Sequence, residues 1–160
     1  VLVITGCGYH TPGASDTWVG GEARTLYVQL FDNQTVEPYL ENYVTDALIA
    51  ELSLSRLFEL TESPGNADVR LVGEVKTFTD SASSYGNSDQ ITEYSATMAI
   101  TVRLLHKNSS DIVWQKNLTR SEDYLATINK NLQLEGQRLA AIRVSQRLAE
   151  DIHAYMLNSF

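Results

Sequence analysis

The sequence predicts an α+β fold: two helices packed on one face of a four-stranded, mostly antiparallel or mixed sheet, in the order β-α-β-β-β-α. Three observations carry this. Apolar residues recur at three- and four-residue spacing over residues 36–54 and 134–157, the pattern of helices with one buried stripe. Residues 68–79 and 91–107 alternate apolar with polar, the pattern of strands with one buried and one solvated face. Clusters of Ser, Gly, Asn, Asp and Pro punctuate the segments between them.

The chain has 160 residues, a formal net charge of −8 and a pI near 4.8. That length predicts one domain with a real core. The acidity argues against a general nucleic-acid binder, which needs a basic face to displace counterions. No apolar run reaches ~18 residues, so no transmembrane helix is expected. A single cysteine excludes an internal disulfide and a Cys-rich zinc site. Charge is uneven: residues 1–66 sum to −7, residues 67–121 are neutral, and residues 122–160 sum to −1. Half of the twelve bases lie in the middle segment, so an anionic ligand is sought there or just beyond.

The opening run Val1-Leu2-Val3-Ile4-Thr5-Gly6 is apolar and ends in a small residue directly before Cys7. Ile4-Thr5-Gly6-Cys7 resembles a bacterial lipobox, in which the cysteine is acylated and becomes the first mature residue. Residues 1–6 then read as the remnant of a signal peptide, 7–22 as a lipidated tether and 23–160 as one domain. Two or more acyl chains anchor a protein stably to a membrane.

Thr25 to Phe31 reads as the first strand, with Leu26, Val28 and Leu30 on one parity. Asp32 to Thr35 forms a turn, and a helix is expected from Val36 to Leu54, with Pro38 in its first turn. Its stripe is Leu40, Tyr43, Val44, Ala47, Leu48 and Leu52. Leu57 to Thr61 suggests a short strand, and Asp68 to Thr79 alternates through Val69, Leu71 and Val75. Residues 80–90 are expected to form a polar hairpin tip. Residues 91–107 form a long strand with Tyr94, Ala96, Met98, Ile100, Val102 and Leu104 inward, long enough to bend or to project past the sheet. Ile112 to Ser121 follows as a strand; Lys116 shares the parity of Trp114 and Leu118, and is expected to snorkel. Residues 122–133 read as irregular. The last helix presents Leu139, Ile142, Leu148, Ala149, Ile152, Tyr155 and Met156.

Chemistry is scarce. His10, His106 and His153 have no ligand spacing, and no cofactor or metal is expected. No nucleophile elbow, phosphate loop or dinucleotide fingerprint appears. An enzyme is the weakest reading, because no nucleophile-base pair can be nominated.

Several ordered pieces resemble one family. They are Cys7-Gly8-Tyr9-His10, then residues 31–41 (FDNQTVEPYLE) and 44–48 (VTDAL), then 67–75 (ADVRLVGEV), 92–94 (TEY) and the Ala-rich helix from Arg138 to Ala149. Together they are similar to the LptE family of lipopolysaccharide-assembly lipoproteins. The resemblance implies two helices on a four-stranded sheet, and a place at the periplasmic face of the outer membrane, held through acylated Cys7. It implies that the protein sits inside an LptD-like barrel and helps deliver lipopolysaccharide to the cell surface. An auxiliary lipoprotein of another envelope transport or secretion complex is the alternative. Lipopolysaccharide carries phosphates, so candidate contacts are Arg103, Lys107, Lys116, Arg120 and Lys130. Lys130 has the best support from the resemblance, since members can carry a base on the approach to the final helix. Lys130 and Arg120 are expected to lie together at one end of the sheet. The tip around Ser84-Tyr85-Gly86-Asn87 lacks the base that some relatives place there.

Overall fold

A computed structural model of the chain describes residues 24–87, 89–107 and 111–158. The expected signal remnant, Cys7 and the tether to residue 22 lie outside the described residues.

The elements are β1 (Thr25–Val28), β2 (Asp32–Asn33), α1 (Leu40–Ser53), β3 (Glu59–Leu60), β4 (Val69–Tyr85), β5 (Ile91–His106), β6 (Ile112–Leu125) and α2 (Lys130–Asn158). The α+β class and the two helices are as the sequence predicts. The sheet has six strands, not four, and the order is β-β-α-β-β-β-β-α. Its spatial order is β3-β1-β4-β5-β6, with β2 also paired to β4. Pairings among β1, β2, β3 and β4 are parallel, and β4-β5-β6 is an antiparallel meander.

Both additional strands are two residues long; the predicted strand 25–31 ends at Val28, and β2 falls in the expected turn 32–35. The early end of β1 has a cause. The Phe31 N–H leaves the ladder to donate to Thr45 Oγ1 on α1 at 3.1 Å. The Phe31 ring turns into the core and lies over Gly73, where a Cβ would fall 2.1 Å from a ring carbon. Only a residue without a side chain leaves that space. The chain then rejoins β4 opposite Glu74 and Val75 as β2.

Helix α1 begins at Leu40, four residues later than the sequence suggests. Asn33 Oδ1 accepts from Thr35 N–H and Thr35 Oγ1, while Asn33 Nδ2 donates to the Glu37 carbonyl and to Glu41. These bonds hold 33–37 in a turn. Tyr39 then sits at φ 69°, in the left-handed region, so Pro38 precedes the helix.

Strands β4 and β5 pair almost end to end, with register shifts at Val75/Thr77 and near Ala82–Tyr85. Residues 80–85 therefore continue β4 and do not form a tip; the ladder closes after them, with Gly86 N–H donating to the Gln90 carbonyl at 2.8 Å. Polarity misleads here because the side chains are solvated while the backbone still completes the ladder. The same template effect carries β6 on to Leu125, opposite Glu93, through residues expected to be irregular.

Inward residues of the sheet (Leu26, Val69, Leu71, Val75, Met98, Ile100, Val102) form one core with Leu40, Val44, Leu48 and Leu52 of α1. Val144, Leu148, Ala149, Ile152 and Met156 of α2 complete it. The expected stripe of α2 is shifted: Leu139 and Tyr155 are exposed, whereas Ala140 and Ala141 are buried. Small residues there let α2 approach Ala96 and Tyr124 closely.

Candidate functional site

Helix α2 runs along the helix-facing side of β6, antiparallel to it, and the bases of β6 are spent on that contact. Lys116 Nζ lies 5.2 Å from the centroid of the Tyr155 ring, which accounts for a lysine on the inward parity of a strand: it covers an aromatic face. Arg120 grips Asp151 through Nε–Oδ2 at 2.6 Å and Nη2–Oδ1 at 2.8 Å, and the carboxylate raises the guanidinium pKa further. Glu122 meets Arg147 at 2.8 Å and Arg143 at 3.7 Å. Tyr124 donates to Asp80 Oδ2 at 2.6 Å and stacks on Tyr94 at 5.8 Å between centroids. Burial, then the Asp80 hydrogen bond, pushes its phenol upward. Its ring fills the space beside Gly136 of α2.

Arg103 points to the opposite side of the sheet and pairs with Glu74, which also binds Lys76. The Lys76 hydrogen bond, chiefly, holds the Glu74 carboxyl below its usual range. Lys107 follows the C-terminal end of β5, and its N–H donates to the Asp68 carbonyl at 2.9 Å. Lys130 stands at the other end of the sheet, just beyond Leu125, which is opposite Glu93 near the start of β5. The five candidate bases thus form no single patch. The expected pairing of Lys130 with Arg120 is not made: Asp151, which Arg120 holds, lies ~32 Å along α2 from Lys130 at 1.5 Å per residue.

Lys130 has its own surroundings. Helix α2 starts there, four residues before the expected residue 134, because Asn129 caps it: Asn129 Oδ1 accepts from Asn131 N–H at 3.0 Å and Leu132 N–H at 3.3 Å. Gln133 reaches back to Thr127 N–H at 2.9 Å. No acid occupies the first turn of α2, and Lys130 forms no ion pair among the described residues. A cation there adds to the positive end of the helix dipole. Around it stand exposed apolar residues, Leu125, Ile128 and Leu132, with Tyr85 and Ile91 across the adjoining hairpin end. A shallow depression of about 480 Å³ lies between Ile91, Tyr94 and Ile128. These apolar residues were missed in the sequence because they fall in a segment with no clean period; Asn129 was the available signal.

Among the described residues no group of three or more His, Cys, Asp or Glu is placed to hold a metal ion. No described helix is long and apolar enough to cross a membrane.

Solved structures share this fold at low identity. A Xanthomonas campestris protein is 11% identical with a TM-score of 0.62, covering 85% of this chain and 85% of its own. Rare lipoprotein B of Shewanella oneidensis is 12% identical with a TM-score of 0.57, covering 85% and 96%. A minor lipoprotein of Acinetobacter baumannii is 18% identical with a TM-score of 0.51, covering 82% and 94%. At such identities these likenesses establish the fold alone. No curated protein matches the sequence. The sequence model of the LptE family, described as lipopolysaccharide-assembly, matches residues 23–156, nearly the whole of the domain whose sheet and helices are set out above, and the chain belongs to that family.

Proposed function

We propose that the protein is the lipoprotein partner of an LptD-like outer-membrane barrel, which it plugs and stabilises, and that it assists the insertion of lipopolysaccharide at the cell surface. Membership of the LptE family over residues 23–156 is the observation that carries this reading. Acylated Cys7 anchors it in outer-membrane lipid at the periplasmic face. The protein acts without catalysis: it positions a partner and a lipid.

Within that role we assign the lipopolysaccharide contact to the Lys130 end. An unpaired lysine at a helix N-terminus attracts phosphate, and exposed Leu125, Ile128 and Leu132 supply apolar surface beside it. That combination suits a phosphorylated lipid better than the other four candidates do. Arg120 is held by Asp151 and Lys116 by Tyr155, while Arg103, on the opposite face of the sheet, and Lys107, at its far end, stand away from that apolar surface.

Affinity capture of the full-length protein from detergent-solubilised outer membranes tests the first part. Recovery of an LptD-like barrel supports it, and stable recovery of a different transporter or secretion complex overturns it. Lys130→Glu tests the second: lipopolysaccharide capture should fall several-fold while barrel recovery is unchanged. Unaltered capture at low ionic strength, where phosphate contacts are least screened, would remove Lys130 from the site.

A further inference from the structure

The sheet face turned away from the helices carries a second basic feature. Arg70 of β4 stands opposite Leu105 of β5, and Val72 stands opposite Arg103. The two arginines are therefore diagonal neighbours on one face, close enough for long side chains to meet. The segment leaving β1 (Gln29, Leu30, Asp32) walls one side and makes a groove of about 280 Å³ over Val72 and Leu105.

With Lys76 beside it, the groove sets three cations, Arg70, Arg103 and Lys76, against two carboxylates, Glu74 and Asp32. Glu74 is already shared between Arg103 and Lys76. Arg70 has no ion pair among the described residues, and the Nε atoms of both Arg70 and Arg103 are shut off from water with no acceptor. Withholding an acceptor from a buried charged donor is costly. An oxyanion seated side-on to a guanidinium would accept from Nε and one Nη together and so supply the missing acceptor.

We propose that the groove between Arg70 and Arg103 is a binding site for a phosphate-type oxyanion. The carboxylate already present does not satisfy both forks: Glu74 gives Oε1 to Arg103 and Oε2 to Lys76 and Gln34, and Arg70 receives neither oxygen. A tetrahedral oxyanion presents three acceptor oxygens and serves two forks at once. The site is separate from Lys130 and does not depend on the lipid contact assigned there. A free phosphate ester and a lipid phosphate headgroup share this chemistry.

Side-chain Nε–Hε NMR signals of the full chain report on it directly. Inorganic phosphate, titrated against chloride at equal ionic strength, should shift the Arg70 and Arg103 signals saturably and leave exposed Arg138 unmoved. Arg70→Gln should weaken the binding at least tenfold. Arg103→Lys, which keeps a cation for Glu74, should weaken it similarly with the melting temperature retained. Micelles of a phosphorylated glycolipid and of its dephosphorylated form separate the sources. A response to phosphate alone identifies a small-molecule site. A response to the phosphorylated micelle and not to the dephosphorylated one identifies a headgroup site. Absence of any saturable shift with either phosphate probe, or equal shifts in the Arg70→Gln chain, overturns the proposal.

Discussion

Arg120 on β6 and Asp151 on α2 are joined by two parallel hydrogen bonds, at 2.6 and 2.8 Å, across thirty-one residues of sequence. The pair aligns the last helix along the edge strand and commits one of the domain's bases to a carboxylate. Replacing either partner should therefore lower stability without altering lipid capture. The loss should be well below that of a core truncation, because the pair is partly solvated. The exchange Arg120→Asp with Asp151→Arg should recover part of it. A double-mutant cycle in chemical denaturation measures the coupling; zero coupling would leave the helix alignment to apolar packing alone.

Leu48 is fully buried between α1 and the sheet. Leu48→Ala should cost about 2–5 kcal/mol, a large part of the ~5–15 kcal/mol typical of a domain. Asp46→Ala, on the exposed side of the same helix, serves as the control. Glu51 would be a poor control, since its Oε1 lies in hydrogen-bond contact with His153 Nδ1 at 2.7 Å and ties the two helices. Equal midpoints for Leu48→Ala and Asp46→Ala would contradict the packing.

Gly136 offers a test with a change of sign. Alanine is favoured over glycine within a helix by ~1 kcal/mol. Here the added Cβ would lie 2.8 Å from the Tyr124 ring, and forced overpacking costs ~1–3 kcal/mol. Gly136→Ala should thus be destabilising in the native chain. In a Tyr124→Ala background it should become stabilising. Denaturation midpoints of the four proteins decide it.

Acid stability depends on Asp68. Its Oδ2 accepts from the N–H groups of Arg24 and Thr25, both at 2.9 Å, and from Thr25 Oγ1 at 2.8 Å. These bonds, the backbone ones foremost, lower its pKa from 3.8 to about 2. A depressed carboxyl contributes stability that is complete above the unfolded value and is lost as pH falls through the folded one. Stability should therefore decline between about pH 4 and pH 2, and Asp68→Asn should flatten that part of the curve. Denaturation midpoints at successive pH values test this; an unchanged slope in the variant would assign the decline to other carboxylates.

Local patterns in the chain determined the fold class. Alternation through Val69, Leu71 and Val75, and through Met98, Ile100 and Val102, identified the inward face of the two central strands because side-chain direction in a strand has a period of two. The three- and four-residue spacing of Leu40, Val44, Leu48 and Leu52 identified α1 for the same kind of reason. Ordered motifs identified the family. Other features depended on partners distant in sequence. The inward parity of Lys116 makes sense only with Tyr155 beneath it, and the break between β1 and β2 only with Thr45 and Gly73 in place. The polar stretches 80–85 and 122–125 are strands because β5 offers them backbone partners, a demand that side-chain polarity does not record. Which bases are free to meet an anion was likewise decided by tertiary structure: a charge in sequence has no partner until the fold brings one within reach.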